Sequence, residues 1–182
     1  MEETTVRNMV FTVPVWKYKV SDWQEKKKAL LDIFNQQDLR QCENVWTSRN
    51  DLDIEFLYED IHKFFGEYYE EVGTSFQYFG ITGCWFQKYG LTNDHAPHHH
   101  GSFGFSSCLY VDFDRDVHQP TTFLSSNSDP LTGNLMHFRP EVEEGDIIFF
   151  PSSTIHYAPP NTSDKTRIIL SMNIEPFNEE MK

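Results

Sequence analysis

Residues 95–113 read HAPHHHGSFGFSSCLYVDF, a histidine-dense segment that runs into an apolar stretch from Gly104 to Phe113. Such a stretch, bounded by Gly, Ser and acidic residues, has the pattern of a buried strand. In an extended chain the side chains at i and i+2 share a face. His98 and His100 therefore converge on one point, while His99 faces the other way. Two imidazoles carried by one strand make a two-ligand arm for a borderline metal such as Fe, Zn, Ni or Cu.

The second half of the chain extends this arm. Gly145-Asp146 makes a turn, Ile147 to Phe150 a buried strand, and Pro151-Ser152-Ser153 a second turn ahead of Ile155-His156. His156 lies fifty-eight residues beyond His98, enough chain for several strands and a return to the same pocket. Eleven residues later Arg167 stands inside Thr166-Arg167-Ile168-Ile169-Leu170-Ser171. An arginine flanked by Ile and Leu in a strand is tolerated inside a protein when an anion pairs with it. The plainer readings are a polar His-rich loop, a core histidine at 156 and an edge-strand Arg167 reaching solvent. Read together, the four residues describe a metal and a small carboxylate-bearing ligand.

Around this nucleus the pattern is α+β. Phe11 to Val20 alternates in part and reads as a first strand, with Pro14 placing it near a sheet edge. Asp22 is a candidate cap for a helix from Trp23 to about Gln37, with Ala29, Leu30, Ile33 and Phe34 on one stripe. A second helix runs from about Ile54 to Val72 with an apolar stripe of Leu57, Ile61, Phe64, Phe65 and Tyr68, and Gly73 is its stop. After Gly73 the period changes to short apolar runs: Phe76–Tyr89, Phe103–Phe113, Thr121–Leu124, Leu135–Phe138, Asp146–Phe150, Ile155–Ala158 and Thr166–Ile174. Two helices followed by about seven strands predict a sandwich or barrel, with Ser125 to Gly133 as a loop within it. At 182 residues the chain is expected to form one domain, with residues 1–75 as an N-terminal strand and helices and 76–176 as the β core.

Composition narrows the function. A formal net charge of −13 argues against nucleic acid or an anionic membrane as the main partner. An aromatic content of 15% supplies a real core and excludes disorder by composition. Cys42, Cys84 and Cys108 form no C-x-x-C pair, which points to a reducing, cytoplasmic setting. Residues Met1 to Val10 show no signal peptide, and no segment approaches a membrane span. The acid pairs Glu70-Glu71, Glu143-Glu144 and Glu179-Glu180 are read as solvated surface.

From Ile81 to Asn173 the sequence resembles the iron(II)- and 2-oxoglutarate-dependent oxygenases, particularly the short prolyl-hydroxylase-like group of bacteria and their viruses. The pieces that carry the resemblance are the Lys88-Tyr89 strand end, the H-x-x-H-x-H run from His95 to His100 and the strand through Tyr110. They continue in order with G-D-I-I-F-F-P-S from Gly145 to Ser152, His156, and R-x-x-x-S-x-N from Arg167 to Asn173. The resemblance implies a double-stranded β-helix (jelly-roll, cupin-like) with the two N-terminal helices packed on one sheet. It implies Fe(II) held by His98, His100 and His156, with 2-oxoglutarate and O2 as co-substrates. Arg167 falls on the position that pairs with the distal carboxylate of 2-oxoglutarate. Tyr89, His95 and Tyr110 fall near co-substrate contacts.

Two departures matter. His100 stands where the wider superfamily most often has Asp or Glu, so Asp94 or Asp112 is the alternative carboxylate if His100 is not a ligand. Ile169 replaces a Ser common two residues after the Arg, and Ser171 compensates only in part. The implied function is a dioxygenase that hydroxylates a C–H bond of a protein side chain or a small molecule, in the cytoplasm of a bacterium or an infected host cell. Its partners are 2-oxoglutarate and an unidentified substrate, with homo-oligomer formation left open. A cupin-type metalloenzyme is the enzyme alternative, although Gly101 to Cys108 lacks the expected acid. A non-catalytic jelly-roll binding or accessory module is the other.

Overall fold

Long strands with apolar side chains on both faces form the centre of the fold, because each face has its own partner layer. The computed structural model describes residues 12–72 and 78–177. In chain order the elements are β1 (Trp16–Lys19), α1 (Trp23–Phe34), β2 (Arg40–Cys42), β3 (Val45–Thr47), α2 (Tyr58–Val72) and β4 (Tyr78–Tyr89). There follow β5 (His95–His98), β6 (Phe105–Asp112), β7 (Thr122–Ser128), β8 (Leu135–Phe138), β9 (Asp146–Pro151), β10 (His156–Ala158) and β11 (Arg167–Phe177). They form a seven-stranded sheet in the order β1-β9-β6-β11-β4-β3-β2 and a four-stranded sheet in the order β5-β10-β7-β8. All strand pairs in both sheets are antiparallel. This is the α+β, double-stranded β-helix architecture expected from the sequence.

Strand alternation divides the apolar residues between two cores. Ile147 and Phe149 of β9, Leu109 and Val111 of β6, and Leu170, Met172 and Ile174 of β11 join the helices in one cluster. Ile148, Phe150, Cys108, Tyr110 and Ile169 belong to the other, between the sheets. The stripe of α2 packs as its spacing predicts: Leu57, Ile61, Phe64 and Phe65 are buried, and Phe64 stacks on Phe149 with ring centroids 4.1 Å apart. Helices α1 and α2 are tied by Asp60, which accepts from Lys26 Nζ at 2.7 Å and from the Ser21 amide at 2.9 Å.

Several local expectations need correction. Asp22 lies in the left-handed region (φ 49°) and makes no side-chain capping bond; its carbonyl accepts from the amides of Glu25 and Lys26 instead. Helix α1 ends at Phe34, and the second helix begins as a 3-10 turn, Glu55–Leu57. The β2–β3 hairpin carries no sequence periodicity and was not anticipated. Strand β7 continues to Ser128, into the stretch read as loop, because β8 pairs with it there. Strand β1 is an edge strand, as Pro14 suggests, although it starts at Trp16. Met1–Phe11, Gly73, Phe76 and Glu179-Glu180 lie outside the described residues. No helix among the described residues is long and apolar enough to cross a membrane. All three cysteines are free.

Gly145 joins these layers at one tight point. Its φ is +83°, and a Cβ there would lie 2.7 Å from the Trp23 ring, so only glycine fits. Its amide donates to Tyr110 O at 2.8 Å and its carbonyl accepts from Val20 N at 3.0 Å.

Phe64 and Gly66 give opposite tests of the helical layer. Phe64→Ala removes a fully buried ring and should lower the unfolding free energy by about 3–5 kcal/mol in urea titration. Gly66→Ala, in α2 with open space around the added carbon, should raise it by about 0.4–1 kcal/mol.

Candidate functional site

Strand pairing, rather than proximity in sequence, assembles the histidines. His156 in β10 stands directly opposite His98 in β5 across the antiparallel ladder. Opposed residues of such a pair put their side chains on one face, close together. Two residues on, the His100 amide donates to Ser152 O at 2.9 Å, which pins the end of the arm to the turn after β9. The ring centroids of His98, His100 and His156 are 4.4–5.2 Å apart, and one ligand nitrogen from each lies within 4.8 Å of the others. His99 is exposed and accepts a bond from the Gly101 amide, facing away as its parity predicts.

Hydrogen bonding fixes which nitrogen each ring offers. His98 Nδ1 donates to Ala96 O at 2.7 Å, and His156 Nδ1 donates to Thr154 O at 2.9 Å. A carbonyl can only accept, so Nδ1 carries the proton and Nε2 keeps its lone pair. His100 Nδ1 donates to Asn173 Oδ1 at 2.6 Å, with the same result. Ligating histidines are commonly oriented in this way by a partner on the other ring nitrogen.

His95 is wired in the opposite sense. Ser171 Oγ donates to Gln87 Oε1 at 3.0 Å, and Gln87 Nε2 donates to His95 Nδ1 at 3.0 Å. His95 therefore holds its proton on Nε2 and offers a donor beside the triad, its ring centroid 4.0 Å from that of His98. Gln87 was not anticipated; its signal was a polar residue on the face of β4 that carries Tyr89. Asp94 accepts from Asn44, and neither it nor Asp112 joins the histidine cluster.

Gln87, Tyr89, His95, Ile169 and Ser171 border a small cavity together with the three histidines. Arg167 and Tyr110 stand behind this wall instead of in it. The Arg167 guanidinium lies 4.2 Å above the Tyr89 ring centroid, and Tyr110 accepts from the Thr121 amide at 3.2 Å. Arg167 is 2% exposed; its Nη1 donates to Gln119 O, its Nη2 to Pro159 O at 3.2 Å, and its Nε is buried without a partner. The anion expected beside it is not supplied by any side chain among the described residues. Ser171 lines the cavity, and its hydroxyl donates to Gln87 Oε1.

These features fit a divalent metal with an anionic co-substrate. One ligand nitrogen from each of three histidines lies within 4.8 Å of the others, and a buried, uncompensated cation with an unused N–H lies on the same inner face. His98, His100 and His156 would hold the metal, and Arg167 would hold a carboxylate.

Burial, reinforced by the neighbouring imidazoles, pushes His156 down to about 3 and His95 down to about 4, and lowers His100. The unfolded chain takes up protons on these rings below about pH 6.5, where the folded protein does not. Metal-free protein should therefore lose stability progressively as pH falls from about 6.5 towards 4. Thermal unfolding should show a weaker pH dependence over that range for His156→Gln than for the parent.

Residues 83–173, half of the chain, match the family model described as "Putative 2OG-Fe(II) oxygenase". No curated protein matches the chain in sequence. Among solved structures, a Pseudomonas putida prolyl-4-hydroxylase is 12% identical, with a TM-score of 0.63, covering 90% of this chain and 93% of its own. HygX from Streptomyces hygroscopicus, solved with nickel, 2-oxoglutarate and hygromycin B, is 8% identical with a TM-score of 0.68, covering 91% and 84%. The viral collagen prolyl hydroxylase of Paramecium Bursaria Chlorella virus-1, in a 2-oxoglutarate complex, is 13% identical with a TM-score of 0.59, covering 88% and 94%. At such identities the likeness is one of fold. The family match goes further: the chain belongs to the 2OG-Fe(II) oxygenases, whose chemistry uses iron(II), 2-oxoglutarate and dioxygen.

Proposed function

We propose that the protein is a 2-oxoglutarate-dependent dioxygenase that hydroxylates a C–H bond, with iron(II) held by the Nε2 atoms of His98, His100 and His156. The observation that carries this reading is the pairing of three oriented imidazoles with a buried, anion-free Arg167 on one inner face. Iron(II) and 2-oxoglutarate, when bound, let dioxygen be reduced as the co-substrate loses CO2, one oxygen atom going to succinate and one to the product.

The chain's own residues account for binding and orientation. Three neutral imidazoles leave the full 2+ charge of the metal uncompensated, where two His and a carboxylate would cancel one unit. A dianionic co-substrate is correspondingly favoured. Arg167 supplies a planar fork for the distal carboxylate, using its unpaired Nε and exchanging a backbone carbonyl for the stronger charged acceptor. The Tyr89 ring against the guanidinium restrains its orientation and helps exclude water. In this reading His95, on the cavity wall, offers its Nε2–H to a bound co-substrate, Tyr110 backs the wall behind it, and Ser171 acts through Gln87 on the orientation of His95.

The substrate is a protein side chain or a small molecule. A Lys- or Arg-rich segment matches the net charge of −13. Residues 1–75 and 76–176 work as a single domain in this reading, and the free cysteines suit the cytoplasm of a bacterium or an infected cell.

Anaerobic titration tests the assignment. Protein with Fe(II) should gain a weak visible charge-transfer band only when 2-oxoglutarate is added. Arg167→Ala should weaken 2-oxoglutarate binding by roughly 30-fold or more, the usual effect of removing one partner of a buried charge pair. His98→Ala should abolish the band. Tight metal binding with no band on adding 2-oxoglutarate would refute the oxygenase assignment of this site.

A further inference from the structure

Two of the three metal-facing histidines are held locally. His98 and His156 each donate to a carbonyl two residues earlier, a bond available to any extended X-x-His segment. His100 is different. Its Nδ1–H goes to the side chain of Asn173, seventy-three residues away on the central strand of the other sheet.

Several features prepare Asn173 for this contact. Strand β11 shifts register against β4 between Asn173 and Ile174, and a bulge of this kind re-aims the side chain beside it. Opposite Asn173 stands Gly83, where an added Cβ would already touch the Trp85 ring at 3.4 Å and Asn173 Nδ2 at 3.8 Å. A larger side chain there would press on the amide. Trp85 lies against the His100 ring, with centroids 5.6 Å apart and planes 27° apart, limiting its rotation. Ser106 Oγ donates to Asn173 Oδ1 at 3.4 Å and lies 3.0 Å from Ser152 Oγ, tying the amide to the turn after β9.

We propose that Asn173 is a positioning residue that makes an imidazole a competent ligand at the place where a carboxylate is usual; this rests on the three-histidine reading of the metal site. A carboxylate ligand has no tautomer to set. An imidazole does, and with no acceptor at Nδ1 the proton can occupy Nε2 and block the metal. The Asn173 amide accepts that bond without adding charge, so the site stays neutral in its protein ligands. Trp85 and the Gly83 gap keep ring and amide in register.

Cobalt(II) serves as an air-stable, coloured probe, its affinity and visible spectrum measured without turnover. Asn173→Leu should raise the Co(II) dissociation constant by roughly 10–100-fold, the usual cost of losing such a partner. Asn173→Asp, which still accepts from Nδ1–H, should stay within about threefold of the parent. In a His100→Ala background, Asn173→Leu should add less than about twofold, since its effect runs through the ring now missing. An undiminished affinity in Asn173→Leu, or an equal loss in both backgrounds, would overturn the role of Asn173 alone. Failure of the parent to bind Co(II) would overturn the metal site itself and the proposal with it. Imidazole 15N spectra of the unsubstituted, metal-free protein give a reading that needs no variant: His100 should carry its proton on Nδ1, and an Nε2–H tautomer would refute the proposal.

Discussion

Strand β11 can lie in only one register, and the site depends on that restriction. It runs for eleven residues between β4 and β6, with Ile168, Leu170, Met172 and Ile174 turned to the helices. The opposite face carries Arg167, Ile169, Ser171 and Asn173. Moving the strand by one residue would drive four apolar side chains between the sheets and put Arg167 and Asn173 under α2. The helical layer, with Phe64 stacked on Phe149, thus holds the register that aims the polar residues inward. Packing on the outer face fixes chemistry on the inner one.

Among the described residues, Arg167 is the buried charged side chain without an opposite charge beside it. The chain as a whole carries a formal charge of −13, yet Arg167 is enclosed by carbonyls and a tyrosine ring without a carboxylate partner. Lys26, Lys27 and Lys165, by contrast, each meet an acid. A buried cation left in this state costs stability, and binding an anion offsets it. The neutral triad adds to the same tendency once a divalent metal is present. Acidity outside and positive potential inside together favour a small dianion over a large polyanion.

Helix stripes and long strands were legible because their apolar residues repeat with the period of the element they form. The β2–β3 hairpin was not. Its strands are three residues each, β2 is fully exposed, and the turn depends on Glu43 at φ 53°. The end of β7 was misread for a related reason: Ser125 to Ser128 has no strand propensity, and its pairing comes from β8. Asp22 has the right chemistry for a cap, but the chain enters α1 through a left-handed residue that carries the carboxylate away from the helix amides. At the site, His98 and His100 were legible from their parity alone. Gln87 was not, since its role depends on Ser171 and His95 arriving from other strands.

The sequence by itself determined most element types, the sharing of apolar residues between two faces, the inventory of candidate ligands and an arginine set within an apolar strand. These follow from local periodicity and from the cost of burying charge. Only the tertiary structure decided that His156 stands opposite His98, that Arg167 lies behind Tyr89 instead of lining the cavity, and that His100 leans on Asn173. Those contacts join residues fifty-eight to seventy-eight positions apart, and no local pattern encodes them. They are set by strand register, which the whole core fixes at once.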